Sequence, residues 1–127
     1  ANKSQPKFLY IPLASPHTPI VPSRAWQGKS GLGAYADFVM ETDHAVGEIV
    51  KAVDEAGLAE NTLVIVTADN GCSPAAKSGM KTMVFKGEKR EPVQPGIHYP
   101  SGIFRGHKSD LFEGGHRVPF VARWKGK

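Results

Sequence analysis

Apolar residues along this chain form three short runs and one longer periodic stretch. The runs occupy residues 7–13, 62–68 and 119–124, and their length and apolar, often β-branched side chains predict three strands. The longer stretch, 34–56, repeats apolar residues at three- and four-residue spacing, which predicts a helix with one apolar face. Gly57 stands where a glycine commonly ends a helix in the left-handed conformation.

The order of these elements predicts an α/β fold with parallel strands. A strand, a helical connection and a second strand make a βαβ unit, whose right-handed crossover sets 7–13 parallel to 62–68. The continuous apolar run within 62–68 suits a strand that is covered on both faces. Because such sheets place ligand sites at the carboxyl ends of their strands, the residues after these two strands are site candidates.

Composition narrows the functional classes. The chain has 127 residues, enough for one domain or part of one, with ordinary apolar (40%) and charged (22%) fractions. The net charge of +4 comes without an aromatic-interleaved basic stripe, so we expect no nucleic-acid partner, although an anionic substrate would suit it. No apolar run approaches a membrane span, and the single cysteine, Cys72, excludes an internal disulfide.

Two candidate positions follow the first two predicted strands. Residues 14–22 contain three prolines, which favour a stiff extended loop that would hold His17 in place. A surface histidine in a proline-rich linker is the alternative interpretation of His17. Asp69 and Asn70 offer adjacent carboxylate and amide oxygens, which are hard ligands suited to Ca²⁺ or Mg²⁺. A simple Asp-Asn-Gly turn ending at Gly71 is the alternative there.

A long irregular stretch, residues 71–107, separates these positions from the last predicted strand. Loops of this length usually have a function in compact domains, and a short hairpin around residues 86–88 is compatible with the sequence. Further along, Gly114 and Gly115 permit either a close backbone approach beside a site or a bulge before the strand.

Three separated segments resemble the sulfatase family, the formylglycine-dependent arylsulfatases. They are Pro-His-Thr-Pro at 16–19, Thr-Ala-Asp-Asn-Gly at 67–71, and Gly-His-Lys at 106–108 followed by Glu-Gly-Gly-His-Arg-Val-Pro at 113–119. The similarity runs nearly end to end. It implies the alkaline-phosphatase-like α/β fold and a sulfuric ester hydrolase, with residues 1–127 as a partial catalytic domain that contains a long active-site loop.

The resemblance also implies roles for individual residues. Asp69 and Asn70 match a pair of metal ligands, usually to Ca²⁺. Lys108 matches a lysine that contacts the sulfate, and His17 matches a histidine that contacts the sulfate or the leaving oxygen, as a candidate general acid. Asn70 separates the chain from phosphatases of the same fold, which typically carry histidine there and bind two transition metals.

The chain departs from the family pattern at the nucleophile. The family converts the cysteine of Cys-x-Pro-x-Arg to formylglycine, and this motif is expected upstream of the present residues. Cys72 begins a superficially similar segment, but Ala76 replaces the arginine, so we do not interpret Cys72 as the nucleophile. We therefore expect the chain alone to be inactive. Because it begins at Ala1 rather than at a methionine, we also expect that it is an excised or processed piece. Uncovered apolar sheet edges predict self-association.

Two other functional classes stay open from the sequence. A phosphodiesterase or phosphonate hydrolase of the same superfamily shares the metal and lysine positions, whereas a truncated, non-catalytic scaffold would retain only the fold. For the sulfatase interpretation the expected partner is a sulfate ester substrate. Relatives are commonly periplasmic, secreted or lysosomal.

Overall fold

The computed structural model describes residues 5–76 and 100–127. The order of its helices and strands is α1 (Ala34–Glu55), β1 (Val64–Thr67), α2 (Glu113–His116) and β2 (Phe120–Arg123). Short 3-10 turns lie at Ala59–Asn61 and Pro74–Ala76. The predicted hairpin around residues 86–88 and much of the predicted loop lie outside the described residues.

Helix α1 occupies nearly the range that the apolar periodicity predicts. Its end is a Schellman motif, in which Gly57 N–H donates to Asp54 O (2.9 Å) and Leu58 N–H donates to Val53 O (3.1 Å). Gly57 has φ = 65°, which confirms the left-handed glycine predicted at this position. The apolar face is only partly covered, since Val39 keeps 39% of its surface exposed.

The start of α1 holds the loop before it through one buried carboxylate. Asp37 is 3% exposed, and its oxygens accept hydrogen bonds from Gly28 N–H, Ser30 N–H and the Ser30 hydroxyl, at 2.7 to 2.8 Å. Burial by itself raises the pKa of Asp37, but these hydrogen bonds outweigh burial and leave the pKa below its ordinary value. Glu41 adds a second connection by accepting from Ser23 N–H at 2.9 Å.

Strands β1 and β2 pair antiparallel, from Val64 opposite Arg123 to Thr67 opposite Phe120. Within the described residues they form the only sheet, which has two strands. The side chain of Arg123 reaches α1 and donates to both carboxylate oxygens of Asp54, at 2.8 and 2.9 Å. The sheet is therefore anchored to the C-terminal end of the helix.

The predicted strand over residues 7–13, and with it the parallel βαβ pair, is not formed in this structure. The segment is exposed along its length, with Phe8 92% and Leu9 78% exposed. A strand needs a neighbouring strand to satisfy its backbone groups and cover its side chains, and the described residues place none beside it. The apolar run predicted a strand, and no strand in residues 5–76 and 100–127 pairs with it.

The buried side chains are few and mostly small. Within the described residues they include Ala59, Ala76, Pro22 and the Tyr35–Asp37 start of α1. None of the helices in residues 5–76 and 100–127 has the length and apolarity needed to cross a bilayer.

Candidate functional site

His17 and Lys108, which are 91 positions apart in the sequence, meet in space. Lys108 Nζ lies 3.0 Å from His17 Nε2. The roles of the two ring nitrogens of His17 follow from their nearest partners. The Thr18 hydroxyl also lies near Nδ1, at 3.4 Å, but Thr18 O is nearer. Thr18 O can only accept, so Nδ1 donates to it (2.7 Å), whereas the Lys108 ammonium can only donate, so Nε2 accepts. The structure therefore orients the Nε2 lone pair toward the lysine.

The Lys108 backbone is held beside the segment that follows β1. Lys108 N–H donates to Cys72 O at 2.9 Å, and Gly71 N–H donates to Gly115 O at 2.8 Å. Two of the three segments that resemble the family are thus hydrogen-bonded to one another. The contact with His17 adds the third.

Three glycines make this arrangement possible, because each lets a backbone segment come closer than a side chain would allow. A Cβ on Gly71 would collide with Gly114 O, and one on Gly114 would collide with Gly106 O. A Cβ on Gly115 would collide with Asp110 O. The close approach predicted for the paired glycines is confirmed, while the alternative of a bulge is not, because both residues lie within α2.

Asp69 and Asn70 follow β1 after one intervening residue, Ala68, with Asp69 exposed and Asn70 half-buried. Within residues 5–76 and 100–127, neither side chain has a hydrogen-bond partner. One carboxylate and one amide oxygen suit a hard divalent cation, although Ca²⁺ takes six to eight oxygen ligands. The described residues contain no cluster of three or more His, Cys, Asp or Glu side chains able to hold a metal. The pair fits as part of a calcium site and would need further ligands.

Cys72 contributes a hydrogen bond beside the site. The hydroxyl of Ser101 donates to Gly106 O at 2.8 Å, so the Cys72 thiol is the donor in its 3.1 Å contact with Ser101 Oγ. Through Ser101, the thiol is linked to the backbone of Gly106, two residues before Lys108. Burial raises the pKa of the neighbouring Tyr35, and electrostatic repulsion from Cys72 adds to that rise.

The sequence did not single out two residues that shape this site, Ser101 and Asp110. Ser101 meets Cys72 across 29 positions, a pairing that no local pattern signals. Asp110 closes the turn that carries Lys108, and the Ser109-Asp110 pair after the lysine is a recognisable turn signal.

Comparison with known proteins agrees with this arrangement of segments. The sulfatase family model matches residues 1–127. An N-acetylgalactosamine-6-O-sulfatase of Bacteroides thetaiotaomicron is 37% identical over 127 residues, which cover 100% of this chain and 23% of the relative. Human steryl-sulfatase is 37% identical over 124 residues, covering 97% of this chain and 19% of the relative. This chain thus spans about a fifth of the length of these relatives.

Solved structures give the same result. A Bacteroides thetaiotaomicron structure, BT33336S-sulf, described with the metabolism of multiple glycosaminoglycans, has a TM-score of 0.67 at 36% identity and covers 87% of this chain and 21% of that chain. The PsFucS1 sulfatase from Pseudoalteromonas sp. has a TM-score of 0.58 at 30% identity, covering 87% and 18%. Sulfatases have the alkaline-phosphatase-like α/β fold, which agrees with the predicted class. The chain belongs to the sulfatase family.

Proposed function

We propose that this chain supplies the sulfate-binding and part of the metal-binding residues of a sulfuric ester hydrolase. The observation that carries the proposal is the 3.0 Å contact between Lys108 Nζ and His17 Nε2. It brings together an ammonium group, which can only donate hydrogen bonds, and an imidazole that is 91 positions away in the sequence. Family membership independently supports a sulfuric ester hydrolase.

The two side chains have complementary tasks in cleavage of a sulfate ester. Negative charge on the sulfate oxygens grows as the ester bond breaks, and the Lys108 ammonium stabilises that charge. When a sulfate oxygen takes the hydrogen bond of Lys108, His17 Nε2 is released from the lysine and faces the bound ester. The released Nε2 takes up a proton from solvent, which makes the ring an imidazolium, and then passes that proton to the departing oxygen while Nδ1 keeps its own.

Asp69 and Asn70 would hold the divalent ion in this proposal. A bound Ca²⁺ supplies positive charge that stabilises the sulfate oxygens. The two residues would hold that charge near the end of β1, next to the segment that is hydrogen-bonded to Lys108. The remaining ligands and the formylglycine nucleophile would come from chain outside these 127 residues.

The substrate is proposed only as a sulfate ester. The N-acetylgalactosamine-6-O-sulfatase and the human steryl-sulfatase each share 37% identity with this chain. Identity therefore favours neither class of alcohol over the other.

The test compares ester hydrolysis by the complete protein that carries this chain and by its variants. We expect hydrolysis of an aryl sulfate in preference to a phosphodiester or phosphonate ester. Lys108→Ala should lower kcat/KM about 100-fold, and His17→Ala should lower kcat by on the order of 100-fold. Matched controls on α1, Lys51→Ala and His44→Ala, should leave both constants unchanged.

Each rival has its own outcome in the same experiment. Faster hydrolysis of the phosphodiester or phosphonate ester would favour the related superfamily members. Full aryl sulfate activity in both Lys108→Ala and His17→Ala would contradict the proposed roles. The isolated 127-residue chain should give no turnover, and turnover that Asp69→Ala abolishes would show that it is competent alone. Absence of both turnover and calcium binding in the complete protein would favour a scaffold.

A further inference from the structure

Lys108 occupies the second position of a tight turn formed by residues 107–110. Asp110 N–H donates to His107 O at 2.9 Å, which closes the turn. Ser109, the third residue, has φ = 76°, a conformation that a non-glycine residue adopts only when its surroundings enforce it. Something other than the intrinsic preference of Ser109 must therefore stabilise this turn.

The carboxylate of Asp110 is the group that does so. Its Oδ2 accepts from His107 N–H at 3.0 Å and lies 3.2 Å from His107 Nδ1. Because Lys108 O also lies near Nδ1, at 3.1 Å, the His107 ring donates from Nδ1 between the two oxygens. One side chain thus fixes the residue immediately before Lys108 through both its backbone and its ring.

Asp110 also packs closely against Gly106 and Gly115, so it has little freedom to shift. A Cβ on Gly115 would collide with Asp110 O, and one on Gly106 would lie 3.0 Å from Asp110 Oδ2. Gly115 O in turn accepts from Gly71 N–H. The backbone of Asp110 is therefore packed against Gly115, which is itself hydrogen-bonded to Gly71, the residue after Asn70.

We propose that Asp110 is a positioning residue: it fixes the 107–110 turn so that Lys108 Nζ reaches His17 Nε2. The placement of Lys108 follows from the contacts above, and only its consequence for sulfate binding rests on the proposed function. The carboxylate acts through the turn and touches neither Lys108 Nζ nor His17 in this structure.

The direct readout is the imidazole of His17, observed by ¹⁵N NMR in the complete protein. In the wild type, Nε2 should show the signal of a nitrogen that accepts a hydrogen bond, and Lys108→Ala should remove that hydrogen-bond shift. We expect Asp110→Ala to reproduce the Lys108→Ala spectrum at His17. Asp110→Asn should restore most of the wild-type signal, because its amide oxygen still accepts from His107 N–H.

A second pair of variants perturbs the turn without touching Asp110. Ser109→Ile should strain the positive φ and shift the His17 signal as Asp110→Ala does, whereas Ser109→Gly should preserve it. This pair decides the matter if Asp110→Ala does not fold. Asp43→Ala, which removes an exposed carboxylate from α1, is the matched control and should change nothing.

The affinity for inorganic sulfate gives the second readout. Asp110→Ala should weaken the Kd about tenfold or more, since small misplacement of a binding group has effects of this size. Unchanged His17 signals in both Asp110→Ala and Ser109→Ile would overturn the positioning role. Absence of sulfate binding by the wild type, with the His17 signals shifted as expected, would contradict the proposed function and leave the positioning role standing.

Discussion

The turn around Lys108 and the segment at residues 7–13 show how differently one chain can specify two irregular regions. In the Lys108 turn, Lys108 N–H donates to Cys72 O and His107 N–H donates to the Asp110 carboxylate. The backbone at Gly114 also lies so close to Gly106, just before the turn, that a side chain would not fit there. Residues 7–13 are mostly apolar, yet they are exposed and belong to no helix or strand. The difference is that the turn is hydrogen-bonded to neighbouring backbone segments, whereas no strand among the described residues pairs with residues 7–13.

The largest effect is expected from a substitution at Gly114, where two backbone segments of the site lie in close contact. Gly114→Ala would drive its Cβ into Gly106 O, a backbone atom that cannot move aside cheaply. We expect a loss of about 3 kcal/mol in the free energy of unfolding, measured by urea denaturation, or failure to fold. The Lys108 contact with His17 should be lost with it.

Gly47→Ala is the matched control for that substitution. Gly47 lies within α1, and a Cβ there meets nothing within 4 Å. Alanine should therefore stabilise the chain by about 0.5–1 kcal/mol through its better helix propensity. Equal effects of the two alanines would show that the close approach at Gly114 does not constrain the site.

Asp37 extends the comparison to the loop before α1, which is also held by hydrogen bonds. Asp37→Asn should lower the free energy of unfolding at pH 6 by about 2 kcal/mol, because one amide oxygen replaces a carboxylate with three donors. The folded pKa of Asp37 is lowered, so the stabilisation is complete above the ordinary pKa of about 3.9 and is lost as pH falls through the folded value.

The measurement is urea unfolding of wild type and Asp37→Asn at several pH values. Their difference should be constant above about pH 5 and shrink below pH 4. Asp43→Asn, at an exposed position of α1, should show a small and pH-independent effect. A wild-type advantage that grows with acidification would mean that the hydrogen bonds do not favour the ionised carboxylate.

The smallest effect on stability should come from the exposed segment. Phe8→Ser together with Leu9→Ser should change the free energy of unfolding by no more than about 0.5 kcal/mol, since neither side chain is buried. The same double variant should lower the self-association expected of the chain, as measured by light scattering. A large loss of stability would mean that residues 7–13 pack against the chain after all.

The helix and its end were predictable because their causes are local. The three- and four-residue spacing gives α1, and Gly57 supplies the left-handed residue that closes it. The strand predicted at 7–13 is not formed, because a strand depends on a neighbouring strand that a local pattern does not specify. The antiparallel pairing of β1 with β2 likewise joins segments far apart in the sequence.

The sequence by itself indicated the family to which the chain belongs, and its motifs predicted His17, Asp69, Asn70 and Lys108 as site residues. Only the tertiary structure decided that Lys108 reaches His17, which tautomer the imidazole adopts, and that Asp110 and Ser101 support the site. Residue type sets what each group can do chemically. Distances between groups many positions apart depend on backbone packing, which here rests on glycines that meet only in the folded chain.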